Sequence, residues 1–162
     1  MSRSPGEPAP GEPESAGWPE GTTGLDHTAD VGLVVRAPSL ADLFRRAAAG
    51  MMALIGGSEE RSPSGGRRAA PVPRASRRLE LDAPDLEALL VAWLREILFA
   101  VQSDDVAYTG ADFDVLCDTR LAARVAVGPA PQAVRELKGV TYHALTVRRE
   151  GDGWLARVVF DV

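Results

Sequence analysis

Cysteine, histidine and lysine are all scarce in this sequence, and each scarcity removes a class of function. One cysteine, Cys117, in 162 residues excludes an intrachain disulfide framework and every cysteine-rich zinc pattern, which fits a reducing, cytoplasmic compartment. Its ordinary reading is a small buried hydrophobe. Two histidines, His27 and His143, with no cysteines beside them, leave no closed structural zinc site. No apolar run approaches the roughly 18 residues of a membrane span, and the opening MSRSPGEPAPGEPESAGWPEGTTG lacks the apolar segment of a secretory signal. Gly-rich phosphate loops, internal repeats and a nucleophile elbow for a Ser-His-Asp hydrolase are also missing. Basic charge is short as well. A formal net charge of -5 disfavours a non-specific polyanion binder, so any action on RNA is expected to be indirect.

What is present suits one ordinary core, since 45% of the residues are hydrophobic and the chain is too short for two full ones. Residues 1–24 are rich in Pro, Gly, Glu and Ser and read as a disordered tail, leaving 25–162 as a single domain. Val31 to Ala37 suits a buried strand. Ser39 then stands as a helix N-cap with Asp42 three residues on, Leu40, Leu43, Phe44, Ala47, Met51 and Leu54 keep helical spacing, and Gly56-Gly57 closes the helix. Residues 57–76 form a Pro/Gly/Ser-rich stretch with an Arg excess, read as a flexible surface loop, with a phosphate-binding arm as the sharper alternative.

RRLELDA alternates as a strand. Pro84 is expected in the first turn of a second helix, whose wide stripe of Leu86, Leu89, Leu90, Trp93, Leu94, Ile97, Leu98 and Val101 faces a core. From residue 105 the period becomes two. DVAYTG, DFDVLCD, RLAARVAVG, VTYHALTVRRE and GWLARVVFDV read as successive strands, the last two joined by a hairpin through Asp152-Gly153. The order predicts an α+β fold, two amphipathic helices packed on a mixed, largely antiparallel β-sheet.

Three features could carry chemistry. LDHTADVGL, at residues 25–33, places Asp26, His27, Thr28 and Asp30 at the lead-in to a strand. If extended, it would put Asp26, Thr28 and Asp30 on one side and His27 on the other. Oxygen side chains on one face suit a hard cation, but a polar turn in which Asp and Thr satisfy backbone amides explains the local sequence as well. The second feature is Asp161, one residue from the C-terminal carboxylate at Val162, on a strand that otherwise reads as buried. Such negative groups repel unless a cation is near, and Asp30 would join them if the first and last strands were neighbours. The third is Lys138, the one lysine beside 17 arginines, in ELKGVTYHAL. It is either chance or a position that wants a compact ammonium. A glycosidase-like pair could be drawn from Asp26, Asp30 and Asp161, but no run of aromatics offers to hold a sugar.

DHTAD before a strand and an amphipathic helix, the Leu-rich DLEALLVAWLREILF, ELKGVTYHAL, and the terminal Asp161-Val162 together resemble the archease family, over about Leu25 to Val162. The resemblance implies an accessory protein, not an independent enzyme. Archeases assist the RNA-splicing ligase of tRNA splicing and RNA repair, promote its guanylylation with GTP, permit multiple turnover, and bind a divalent cation, calcium in known structures. Carried over by position, it implies metal ligands at Asp30, Asp161 and an oxygen of Val162, and a part in ligase activation for Lys138. Asp26, His27 and His143 are grouped with Lys138 in that activating role, as neighbours of the metal site. The long tail and the Arg-rich loop depart from the family pattern and bear on how a partner is approached. A chaperone or scaffold role with a purely structural metal is the rival reading.

Overall fold

The computed structural model describes residues 18–26, 30–57, 72–130 and 132–162. Nine elements follow in chain order: β1 Thr22–Asp26, β2 Asp30–Ala37, α1 Leu40–Gly56, β3 Ala75–Asp82, α2 Leu86–Asp104, β4 Val106–Leu116, β5 Arg120–Pro129, β6 Gly139–Glu150 and β7 Gly153–Asp161. The strands form two sheets, ordered β1-β2-β7-β6 and β3-β5-β4. Every strand pairing among the described residues is antiparallel, so the expected α+β architecture holds while its sheet divides in two.

Local chemistry fixes both helices. Ser39 is extended at φ -137°, and its Oγ accepts the Asp42 amide at 3.1 Å while donating to the Asp42 carboxylate at 2.9 Å, which satisfies a free amide of the first turn. Gly57, at φ 78°, takes the C-terminal conformation that a side chain would resist. In α2 the N-cap is Asp85, whose carboxylate accepts the Ala88 amide at 2.8 Å. Pro84 therefore stands just outside the helix and not in its first turn, because the side chain of Asp85 can cap and that of Pro84 cannot.

The helices share one core. α1 lies against β2 of the first sheet and β4 of the second, and α2 against β6 of the first and β3 and β4 of the second. Leu33, Phe44, Met51, Leu90, Trp93, Leu121 and Phe160 are fully enclosed, each worth about 1.5–3 kcal/mol or more of transfer free energy. Trp93 is a core residue, as its helical spacing suggested. Its indole N–H donates to the Phe44 carbonyl at 3.0 Å, tying α2 to α1 without leaving a buried donor unpaired.

Several boundaries differ from the sequence reading. The fold begins before Leu25: Thr22–Asp26 pairs with β2, and Trp18 packs on the core over Gly24, so part of the expected tail at 1–24 is a strand. At the other inset, Gly57 caps α1 and Ala75 and Ser76 belong to β3; the rest of the expected loop includes 58–71, outside the described residues. DVAYTG and DFDVLCD are one strand, β4, carrying register shifts at Tyr108/Gly110 and Phe113/Val115. The last hairpin turns through Gly151-Asp152, with Gly151 at φ 57° and Glu150 opposite Gly153, because glycine supplies the positive φ that a two-residue loop needs at its first position. Cys117 is exposed, not buried. It sits in the β4–β5 turn, where backbone hydrogen bonds from Thr119 and Arg120 hold its thiol below the ordinary value.

Candidate functional site

The start of β2 and the end of β7 meet at one end of the first sheet. Asp30 stands directly opposite Asp161 in the β2–β7 register, and Gly139 of β6 stands opposite Asp161 on its other side. The adjacent row, Val31–Phe160–Val140, is buried. Alternation along each strand therefore turns Asp30 and Asp161 to the face away from the core, with Cβ atoms of opposed residues about 4.5–5.5 Å apart. The two residues are thus cross-strand neighbours on one face of the sheet end.

The surroundings of the pair are built from backbone. The Lys138 amide donates to the Asp161 carbonyl at 2.8 Å, which continues the β6–β7 ladder and occupies that carbonyl. Gln102 of α2 donates to the Leu137 carbonyl at 2.7 Å, and Leu137 is itself enclosed, so the lead-in to β6 is clamped to the helix. Gly139 keeps the space beside the Asp161 carboxylate open, since a Cβ there would sit 3.8 Å from Asp161 Oδ2. Asp161 and Val162 are exposed and Asp30 half-buried.

Among the described residues, no ion pair reaches Asp30 or Asp161. Opposed like charges on a sheet are destabilising, and nothing described neutralises these two. The donor set suits a hard cation, because carboxylate oxygens are what calcium or magnesium prefer. It is also incomplete. No group of three His, Cys, Asp or Glu side chains gathers among the described residues, so an ion here would need a Val162 oxygen and water or partner groups to fill its shell.

The remaining candidates fall into place around this pair. DHTAD is not the lead-in to a single strand, as the extended reading required. It spans the β1–β2 hairpin, with Asp26 ending one strand opposite Val31 and Asp30 beginning the next. Asp26 is one register step from the Asp30–Asp161 row, not in it. His27 and Thr28 lie outside the described residues. Lys138 is exposed immediately before β6 and makes no ion pair among the described residues. His143 is exposed further along β6, its amide donating to Thr141 Oγ1 at 3.2 Å. Gly139 and Gln102 were not singled out from sequence; only the register and the contact to Leu137 reveal them.

Comparison with known proteins supplies the family. A sequence model of the Archease protein family matches residues 23–162. "Protein archease" of Methanosarcina barkeri is 29% identical over 147 residues, covering 85% of this chain and 93% of that protein. "Protein archease" of Methanosarcina acetivorans is 30% identical over 146 residues, again covering 85% and 93%. A solution structure of a Methanobacterium thermoautotrophicum protein superposes with a TM-score of 0.66 at 24% identity, covering 88% of this chain and 99% of that one, which establishes the shared fold.

Proposed function

This chain belongs to the archease family, and from that premise we propose that it is a cytoplasmic accessory protein of an RNA-splicing ligase, promoting the ligase's guanylylation and multiple turnover in tRNA splicing and RNA repair. The observation that carries the reading is the register pair Asp30–Asp161. Two opposed, unneutralised carboxylates at a sheet end carry an electrostatic penalty that a bound cation would remove.

In this reading Asp30, Asp161 and an oxygen of Val162 hold a divalent cation, expected to be calcium. When bound, such a cation neutralises phosphate charge and orients oxygen ligands. The chain's own residues do the rest. The Lys138 amide is fixed by its hydrogen bond to the Asp161 carbonyl, so an exposed ammonium stands one residue before the row of the acidic pair, a compact charge available to a phosphate or a ligase carboxylate. Asp26, His27 and His143 remain flanking groups. Contact with RNA is through the ligase, and no described helix is long and apolar enough to cross a membrane.

The test is guanylylation of the cognate ligase with GTP, in the presence of wild type, Asp30→Ala, Asp161→Ala and Lys138→Ala. Stimulation is expected to fall by about tenfold or more for the two aspartate variants, the effect of losing a cation ligand, and to weaken for Lys138→Ala. Undiminished stimulation by all three would contradict the proposal and favour a scaffold whose metal is structural.

A further inference from the structure

Four strands stand at sheet edges, β1 and β6 in the first sheet and β3 and β4 in the second. An edge offers unpaired N–H and C=O groups to any other strand, and folded proteins blunt it by brevity, by bulges or by charge. Three of these edges are blunted in shape. β1 has five residues, β4 carries register shifts, and β6 advances from Thr141 to Thr146 while β7 moves only from Val159 to Arg157, a bulge that holds Ala144 at φ 51°. β3 differs. Its eight residues keep one unbroken register against β5, from Ala75 with Val127 to Asp82 with Arg120, and among the described residues no strand pairs with its other side.

The ladder decides which groups face that open side. The Ala83 amide donates to the Thr119 carbonyl at 2.9 Å, one step beyond the Asp82–Arg120 pair. Hydrogen-bonded pairs alternate along an antiparallel ladder, so Leu81, Leu79 and Arg77 also bond to β5, while Ser76, Arg78, Glu80 and Asp82 turn their N–H and C=O groups outward. Side chains alternate too. Arg77 pairs with Asp104 of α2, and Leu79 and Leu81 pack against the core, so that row faces the helix. Arg78, on the opposite face, pairs with Glu80 at 2.9 Å and with Asp114 of β4 at 3.7 Å.

Charge selects the occupant. If a second copy of β3 pairs antiparallel across a two-fold axis, an axis at Arg77 or Arg78 sets an arginine against its own copy, one at Glu80 does so for a glutamate, and one at Leu81 sets Glu80 against Asp82. Like charges directly opposed are destabilising. An axis at Leu79 instead sets Arg78 opposite Glu80 of the second copy, Glu80 opposite its Arg78, Ser76 opposite its Asp82, and Leu79 opposite itself. On the helix face this register brings Leu81 of the second copy opposite Arg77, where Phe99 of α2, 65% exposed, lines a groove with Arg77 and Leu79. Charge on an edge can serve only to repel other strands, but a strand that repelled its own copy would carry one sign, and β3 carries both, basic before Leu79 and acidic after it. We infer that β3 is a homodimer interface, joining two copies through antiparallel β3 strands centred on Leu79 and merging their three-stranded sheets into one. The acidic pair lies in the other sheet and takes no part, so the inference stands apart from the ligase reading.

Sedimentation equilibrium of the full chain, from about 1 to 100 μM, compares wild type, Arg78→Glu, Glu80→Arg and an equimolar mixture of the two variants, with circular dichroism recorded for each. Wild type should approach twice 17.2 kDa as concentration rises. Each variant alone should self-associate about tenfold or more weakly, because like charges then meet across the axis. Mixed, the two become complementary again and should recover the mass of the wild-type dimer, which misfolded chains could not do. Hydrogen exchange of wild type supplies the position and needs no variant. The Arg78 and Glu80 amides should slow as concentration rises, while those of Arg77 and Leu79, bonded to β5, are protected throughout. A wild type that stays at 17.2 kDa overturns the inference. So does a dimer that both variants retain, a mixture of folded variants that fails to recover mass, or exchange at Arg78 and Glu80 that ignores concentration.

Discussion

At the scale of single residues, position within the ladder decides what a side chain can do. Asp30 and Asp161 are 131 residues apart in sequence and become cross-strand partners because β2 and β7 are antiparallel neighbours in one register. A slip of one position would turn either carboxylate to the core face. Ala144 is the opposite case, a residue whose backbone is held where its side chain is unwelcome. Replacing it with glycine removes that strain but adds freedom to the unfolded chain, so Ala144→Gly is expected to raise stability by roughly 0.5 kcal/mol. Ala156→Gly, at a fully buried position of β7, should lower it by about 1 kcal/mol. Denaturant unfolding of the two variants checks the contrast in sign. The acidic residues themselves were visible in sequence as candidates; that Asp26 falls out of their row was not, because alternation assumes an unbroken strand and a hairpin intervenes.

At the scale of elements, helices were more legible than strands. Period 3.6 over many residues, with Ser39 at one end and Gly57 at the other, leaves little freedom in α1. β1 was missed because TTGLD offers no alternation, and its stability comes from pairing with β2 and from Trp18 lying over Gly24. The bulge in β6 was equally silent: a run such as VTYHALTV alternates well enough to pass for a continuous strand. Close helix-to-sheet packing supplies a further expectation. A Cβ on Gly50 of α1 would lie 2.6 Å from Leu33 Cδ2, in a place where Leu33 is fully enclosed. Gly50→Ala gains about 1 kcal/mol of helix propensity but overpacks the core at a cost of about 1–3 kcal/mol. Thermal melting should therefore show a net loss of stability, where an exposed helical glycine would show a gain.

At the scale of the whole molecule, sequence order was enough for the α+β class, since helices and strands follow one another without the alternation of a parallel sheet. It was not enough for the division into two sheets, which depends on which edges close over α1 and α2. The architecture places the acidic row and the start of β6 after Lys138 at neighbouring positions of one sheet, and activation is proposed to act there. The claim on which all of this depends is that Asp30 and Asp161 together hold a divalent cation. The direct measurement is thermal melting of wild type and Asp161→Asn, each in calcium and in chelator. Wild type should melt higher in calcium by about 5 °C or more, the effect of a ligand near 100 times its Kd on a chain of this size. In chelator Asp161→Asn should melt above wild type, because it removes one of two opposed charges, and calcium should add nothing to it. Equal calcium shifts in the two proteins, or none in either, would contradict the account.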